Sequence, residues 1–184
     1  MKTNEERVIF AGFGGQGVML MGQMLAYIAT DEALHTVWIP SYGPETRGGT
    51  ANCSVTIAKQ MINSPIITEA DSAVVLNLPS LQKFEPRLKK NGLLIVNESA
   101  IEQYPYRQDI RVLSLDANRM ALKLGNLKVA NMIMLGAYLE ATGIFPKEAL
   151  FKIFKKTFTG SKETLLEMNY QAVELGMETV RNQA

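Results

Sequence analysis

Val8-Ile9-Phe10-Ala11-Gly12-Phe13-Gly14-Gly15-Gln16-Gly17 is an apolar run that breaks into glycines, and its reading decides the fold. Four consecutive apolar residues suit a strand covered on both faces. The glycines after it match G-x-G-x-x-G and lead into a helical pattern from Gly17 to about Ala33. Glycines permit a tight turn, and a helix N-terminus offers free N–H donors to an anion. A turn that only packs the helix onto the sheet would use the same residues, so the motif by itself leaves both readings open.

Further buried strands are read at Val37-Trp38-Ile39, Ala73-Val74-Val75-Leu76, Leu93-Leu94-Ile95-Val96 and Val112-Leu113-Ser114-Leu115. Asn52 to Ala58 alternates instead, with Cys53, Val55 and Ile57 on one side and Ser54 and Thr56 on the other. Lys59-Gln60 reads as a turn into a short return strand at Met61-Ile62, giving a local hairpin at one edge. Helices are expected from Leu78 to about Lys90 and from an Asp116 cap to Leu124, closed by Gly125. Others are expected from Leu127 to Thr142 before Gly143, from Pro146 to Phe158, and from a Ser161 cap to Arg181. The expected architecture is a single domain over 1–184. It is a three-layer α/β/α, Rossmann-like doubly wound sheet, mostly parallel, with an edge hairpin and a C-terminal helical extension.

Composition narrows the chemistry. Among 184 residues there are 19 Lys and Arg against 18 Asp and Glu, one histidine and one cysteine. A net charge of +1 supplies no broad field for nucleic acid or an anionic membrane, and neither is expected as a partner. One cysteine, Cys53, precludes an internal disulfide or a cysteine-built cluster, and one histidine, His35, precludes a multi-histidine metal site. No apolar run approaches the ~20 residues of a membrane span, and the acidic start does not resemble a signal peptide. A cytoplasmic location is expected.

A dinucleotide site also requires an acidic residue about 20 residues beyond the glycines, at the end of the second strand. That strand ends Trp38-Ile39-Pro40-Ser41, without an acid, which disfavours NAD or NADP. The loop that follows, Ser41-Tyr42-Gly43-Pro44-Glu45-Thr46-Arg47-Gly48-Gly49-Thr50, leaves from the carboxyl edge of the sheet, where ligands bind such folds. It holds Tyr, Glu and Arg between Gly-Pro and Gly-Gly, although an exposed Glu/Arg pair is also ordinary surface.

Taken together, Gly12–Gly17 and Ser41–Thr50, continuing into Ala51-Asn52-Cys53-Ser54, resemble the gamma subunit of 2-oxoacid:acceptor (ferredoxin) oxidoreductases. The loop words Tyr42-Gly43-Pro44-Glu45 and Arg47-Gly48-Gly49 look most like the 2-oxoglutarate branch, with the branched-chain 2-oxoacid branch close behind. The resemblance implies an enzyme subunit that is inactive alone. Alpha, beta and ferredoxin-like delta partners would hold thiamine diphosphate, magnesium and iron–sulfur clusters and pass electrons to external ferredoxin. For this chain it implies structural completion and a part in coenzyme A binding, with no catalytic residue and no metal ligand of its own. Gly12, Gly14, Gly15, Gln16 and Gly17 are the candidate cradle for a CoA phosphate. Ser41, Tyr42, Gly43, Pro44, Glu45, Arg47, Gly48, Gly49 and Asn77, the last at the end of the fourth strand, form a candidate site or subunit-interface loop. A stand-alone NAD(P)-dependent dehydrogenase and a non-catalytic CoA- or nucleotide-binding regulator are the alternatives.

Several residues read as structural. His35 reads as a helix-end cap or surface residue and Cys53 as a core thiol. Lys83, Arg87, Lys89 and Lys90, and also Lys147, Lys152, Lys155 and Lys156, read as solvated basic faces. The stretches Val18–Ala29 and Val129–Leu139 are apolar nearly all round, which points to helices that meet another subunit as well as the core.

Overall fold

A computed structural model describes residues 4–43, 49–102 and 107–183. Six strands form one mixed sheet: β1 (Glu5–Phe13), β2 (His35–Tyr42), β3 (Thr50–Ala58), β4 (Ala70–Val75), β5 (Leu88–Asn97) and β6 (Arg111–Leu115). Their spatial order is β2-β3-β1-β4-β5-β6. β1, β4, β5 and β6 run parallel, while β3 is antiparallel to both β1 and β2. The near-continuous apolar runs of β1, β4, β5 and β6 form the parallel strands, as covered sheets favour. Val37-Trp38-Ile39, also read as a buried strand, lies instead in the antiparallel edge strand β2 and is only partly covered.

The edge hairpin exists, but its partner differs from the expected one. β3 pairs with β2 over the full length of that strand, from His35 opposite Ala58 to Tyr42 opposite Ala51. Met61 and Ile62 form no strand. A two-residue return could contribute few ladder bonds, whereas β2 contributes eight paired positions, so the longer pairing wins.

Helices cover both faces. On the first, α1 (Val18–Asp31), α3 (Ala117–Lys123), α4 (Ala130–Thr142), α5 (Lys147–Thr157) and α6 (Leu166–Arg181) pack over Val8, Phe10, Val74 and Ile95. On the second, α2 (Leu78–Phe84) packs its Leu81 and Phe84 over Ile9, Ala11, Val75 and Leu94. α2 ends earlier than expected because Glu85-Pro86-Arg87 tightens into a 3-10 turn, and β5 starts at Leu88. Pro146 and Gly143 act as expected, the latter at φ +60°. Ser161 does not cap α6; a 3-10 segment over Gly160–Leu165 precedes it.

α4 is the central helix, every residue from Ala130 to Leu139 being buried. α6 lies against it at backbone contact, where Gly136 and Gly176 face each other's helix. The all-round apolar character of α4 is therefore used within this domain, whereas α1 buries most of its apolar residues but leaves Met19 and Leu20 half-buried and Tyr27 exposed. The basic face on α5 is also not simply solvated: Lys152 and Lys156 pair with Asp31 at 2.7 and 2.5 Å, and Lys147 pairs with Glu174. Lys89 sits on β5 and pairs with Asp71 at 2.5 Å. No helix among the described residues is long and apolar enough to cross a membrane.

Candidate functional site

β1 is followed by α1 on the first face and β4 by α2 on the second, so the chain winds away in opposite senses from the ends of β1 and β4. Ligands of such sheets bind in the crevice at that switch point. Gly12 and Phe13 end β1, and Gly14 to Gly17 turn the chain into α1. Space is tight at Gly12: a Cβ there would lie 2.6 Å from Gln16 Oε1, the side chain that holds the turn, and 3.2 Å from Leu76 Cβ. Gly17 is required by both space and conformation. It is the N-cap of α1 at φ +78°, and a Cβ would lie 2.2 Å from Asn131 Nδ2. Gly15, at φ +94°, has nothing within 4 Å of the equivalent position, so its backbone is open to approach.

Gln16 holds the turn. Its Oε1 accepts from the Phe13 N–H at 2.6 Å, and its Nε2 donates to the Leu76 carbonyl at 3.4 Å. The second motif is joined to the first directly, because the Gly14 N–H donates to the Gly49 carbonyl at 2.9 Å. The Gly43 N–H donates to the Thr50 carbonyl at 2.7 Å, closing the base of the loop. Ser41 and Tyr42 end β2 and are exposed. Pro44, Glu45, Arg47 and Gly48 lie outside the described residues.

Asn77 follows β4 and caps α2, its Oδ1 accepting from the Ser80 N–H at 2.9 Å. It is only 2% exposed, and its Nδ2 has no partner among the described residues. An unpaired buried donor is costly. Residue 76, immediately before it, lines a crevice of about 370 Å³ whose other walls include Gly15, Gln16, Asn118, Asn126, Leu127 and Lys128. That lining contains one cation and no carboxylate. Asn118 is held in place by Asn97, buried at the end of β5, whose Nδ2 donates to Asn118 Oδ1 at 3.0 Å. Asn126 Oδ1 accepts from the Lys128 N–H at 3.0 Å and so shapes the approach to α4.

The walls contributed by Asn118, Asn126 and Lys128, and the support that Asn97 gives to Asn118, were not anticipated from sequence. Two faint signals existed: Asn97 ends a strand as Asn77 does, and Asn126-Leu127-Lys128 follows the helix-closing Gly125.

Elsewhere, Cys53 is buried, donates to the Val18 carbonyl at 3.3 Å, and burial pushes its thiol up to about 11. Such a thiol is not a nucleophile at neutral pH. His35 opens β2 rather than ending a helix, and it is exposed. Among the described residues, no group of three or more His, Cys, Asp or Glu side chains is arranged to hold a metal ion.

At the opposite, amino edge of the sheet, Glu6 accepts from Ser72 Oγ at 2.7 Å and from the fully buried Tyr138 hydroxyl at 3.3 Å. Burial raises the Glu6 carboxyl above its ordinary 4.5, and neighbouring Asp71 adds to this, while Ser72, Tyr138 and Lys89 oppose it. The folded protein holds this proton to a higher pH than the unfolded chain does. The contribution to stability is fully present below about 4.5 and is lost as pH rises through the raised value. Glu6→Gln is expected to flatten that slope: denaturant midpoints measured between pH 5 and 8 should fall with pH in the wild type and less so in the variant.

The profile of the family described as "Pyruvate ferredoxin/flavodoxin oxidoreductase" matches residues 7–179, nearly the whole chain. The chain belongs to that family. Family members that it resembles include ketoisovalerate oxidoreductase subunit VorA of Methanothermobacter thermautotrophicus, 38% identical over 179 residues. That alignment takes in 96% of this chain but 37% of VorA, so the chain spans little more than a third of that relative. The 2-oxoglutarate synthase subunit KorC of the same organism is 34% identical, with 95% of each chain covered. The fold matches the crystal structure of the keto/oxoacid ferredoxin oxidoreductase gamma subunit from Geobacter sulfurreducens. That match has a TM-score of 0.82 and 28% identity, and covers 96% of this chain and 99% of that one. The resemblance to gamma subunits drawn from Gly12–Gly17 and Ser41–Ser54 therefore extends along nearly the whole of this chain.

Proposed function

We propose that this chain is the gamma subunit of a CoA-dependent 2-oxoacid:ferredoxin oxidoreductase and that it contributes structure and a phosphate-binding wall for CoA. The observation that carries the CoA part is the crevice at the β1/β4 switch point. Gly15 leaves its backbone open there, Asn118 and Asn126 bring amides, Lys128 brings the one cation, and no carboxylate repels an anion. A phosphate gains charge-assisted hydrogen bonds from such a set. The same absence of a carboxylate leaves a dinucleotide ribose without its usual reader, so the dehydrogenase reading gains no support. CoA would supply the thiol that accepts the acyl group. This chain's residues would hold and orient its phosphates.

In this reading the alpha, beta and delta partners hold thiamine diphosphate, magnesium and the iron–sulfur clusters. They also carry the decarboxylation and pass the electrons to ferredoxin. The substrate is 2-oxoglutarate on the strength of the Tyr42–Gly49 loop words. Ketoisovalerate is the second reading, favoured by 38% identity to VorA against 34% to KorC.

The test is steady-state kinetics on the assembled complex with both 2-oxoacids. Losing one charged hydrogen bond costs about 1.5–3 kcal/mol. Lys128→Ala should therefore raise the KM for CoA about tenfold or more, with the KM for the 2-oxoacid unchanged. An unchanged KM for CoA would remove CoA from this crevice. Nicotinamide reduction by the isolated chain would replace the whole reading with the dehydrogenase one.

A further inference from the structure

The second face of the sheet is covered unevenly. α2 packs mainly on β1 and β4, so among the described residues no helix packs extensively on that side of the β2–β3 wing. Cross-strand rows put Ile9, Ser54 and Ile39 side by side on this face, next to a row of Ala11, Asn52 and Ser41. The segment 61–67 runs alongside and exposes two large apolar side chains, Met61 at 76% and Ile66 at 70%. Between wing and segment lies a groove of about 200 Å³, with Ile9, Ile39, Asn52, Ser54, Ile66 and Phe84 among its walls. The other exposed large apolar residues of the helices, such as Tyr27, Leu122 and Leu165, belong to or adjoin helices of the first face.

An exposed apolar groove with polar floor groups marks a contact site. The chain's relatives indicate the kind of polypeptide that fills it. In VorA the homologous segment is 37% of one chain, so more than half of that protein is further polypeptide covalently attached to this domain; KorC has the domain as a separate chain. A domain found both fused and free needs a face that holds the remainder. The edge strand is poorly suited to strand addition, since Pro40 within β2 removes a backbone donor.

We infer that the β2–β3 wing and the 61–67 segment dock the partner subunit corresponding to the additional portion of the VorA chain. The partner inserts an uncharged apolar side chain between Ile39 and Ile66. Its neighbouring polar groups bond to Asn52 and Ser54. The groove's volume accommodates one or two such side chains, and the lining offers one cation, Arg87, already committed to the Ile67 and Thr68 carbonyls. The buried α4 surface takes no part.

This rests on the proposed subunit role, and the experiment separates the two. The chain is co-expressed with its partner oxidoreductase subunits, and the assembled complex is compared with the free chain by size-exclusion chromatography and amide hydrogen exchange. Amides of 35–42 and 61–67 should be protected on assembly. The Met61→Glu/Ile66→Glu double variant should weaken subunit association at least tenfold while the free chain melts as the wild type does. A Leu165→Glu control should assemble normally. A complex that forms with the wing unprotected and the double variant fully retained would overturn the docking surface alone. Failure of the wild-type chain to assemble with those subunits would overturn the subunit role beneath it.

Discussion

Gly176→Ala is expected to destabilise the chain by about 2 kcal/mol or more, even though alanine is the better helix former by about 1 kcal/mol. A Cβ at residue 176 would lie 1.9 Å from the Ile133 carbonyl oxygen and 2.8 Å from its carbon. The reciprocal position is equally tight, a Cβ on Gly136 falling 2.2 Å from the Val173 oxygen. Both obstacles are backbone, which cannot rotate aside as a side chain would. α4 and α6 must separate, and α4 carries the centre of the first-face core. For a domain of this size about 2 kcal/mol corresponds to roughly 4–8 °C in Tm, readable by calorimetry. Gly136→Ala should act similarly, and the double variant should cost less than the sum of the two, since one displacement relieves both clashes.

Gly17→Ala is the second large effect, and its comparison with Gly15→Ala distinguishes its causes. Both glycines lie at positive φ, +78° and +94°, and a residue with a Cβ pays about 1–2 kcal/mol there. Gly15 has open space beside it, so its substitution should cost only that strain. At Gly17 the new methyl also meets Asn131 Nδ2, which donates to the Gly17 carbonyl at 3.3 Å in a site where Asn131 is buried. Displacing that amide leaves a buried polar group unpaired and adds about 1–3 kcal/mol. Equilibrium unfolding in urea should therefore show a loss of about 3 kcal/mol for Gly17→Ala and about 1 for Gly15→Ala. Equal losses would mean that the Asn131 contact contributes nothing.

These glycines also mark how far the sequence could be read. Strands β4 to β6 were legible because apolar runs between turn residues suit doubly covered strands. The caps at Asp116, Gly143 and Pro146 were legible because their chemistry is local. The partner of β3 was not, since alternation shows that a strand has one less-buried face but not which neighbour it pairs with. The early stop of α2 had a visible signal in Pro86 that the apolar pattern obscured. At the site, the glycine turn and the Ser41–Thr50 loop were readable as words, and the structure joins them through Gly14 and Gly49. The far wall was not readable: Asn118, Asn126 and Lys128 lie over a hundred positions beyond Gln16, and only the winding of the sheet brings them to the same edge. The apolar character of α4 was visible, but its explanation needed the crossing with α6.

Cys53 gives the domain a built-in reporter. The chain has one thiol, sealed between β3 and the start of α1, and its raised ionisation leaves almost no thiolate at neutral pH. A thiol reagent can reach it only when the first-face core opens, so the labelling rate of the unmodified protein measures that opening directly. Assembly, ligand binding and glycine variants can then be compared on one scale of opening frequency without introducing a probe.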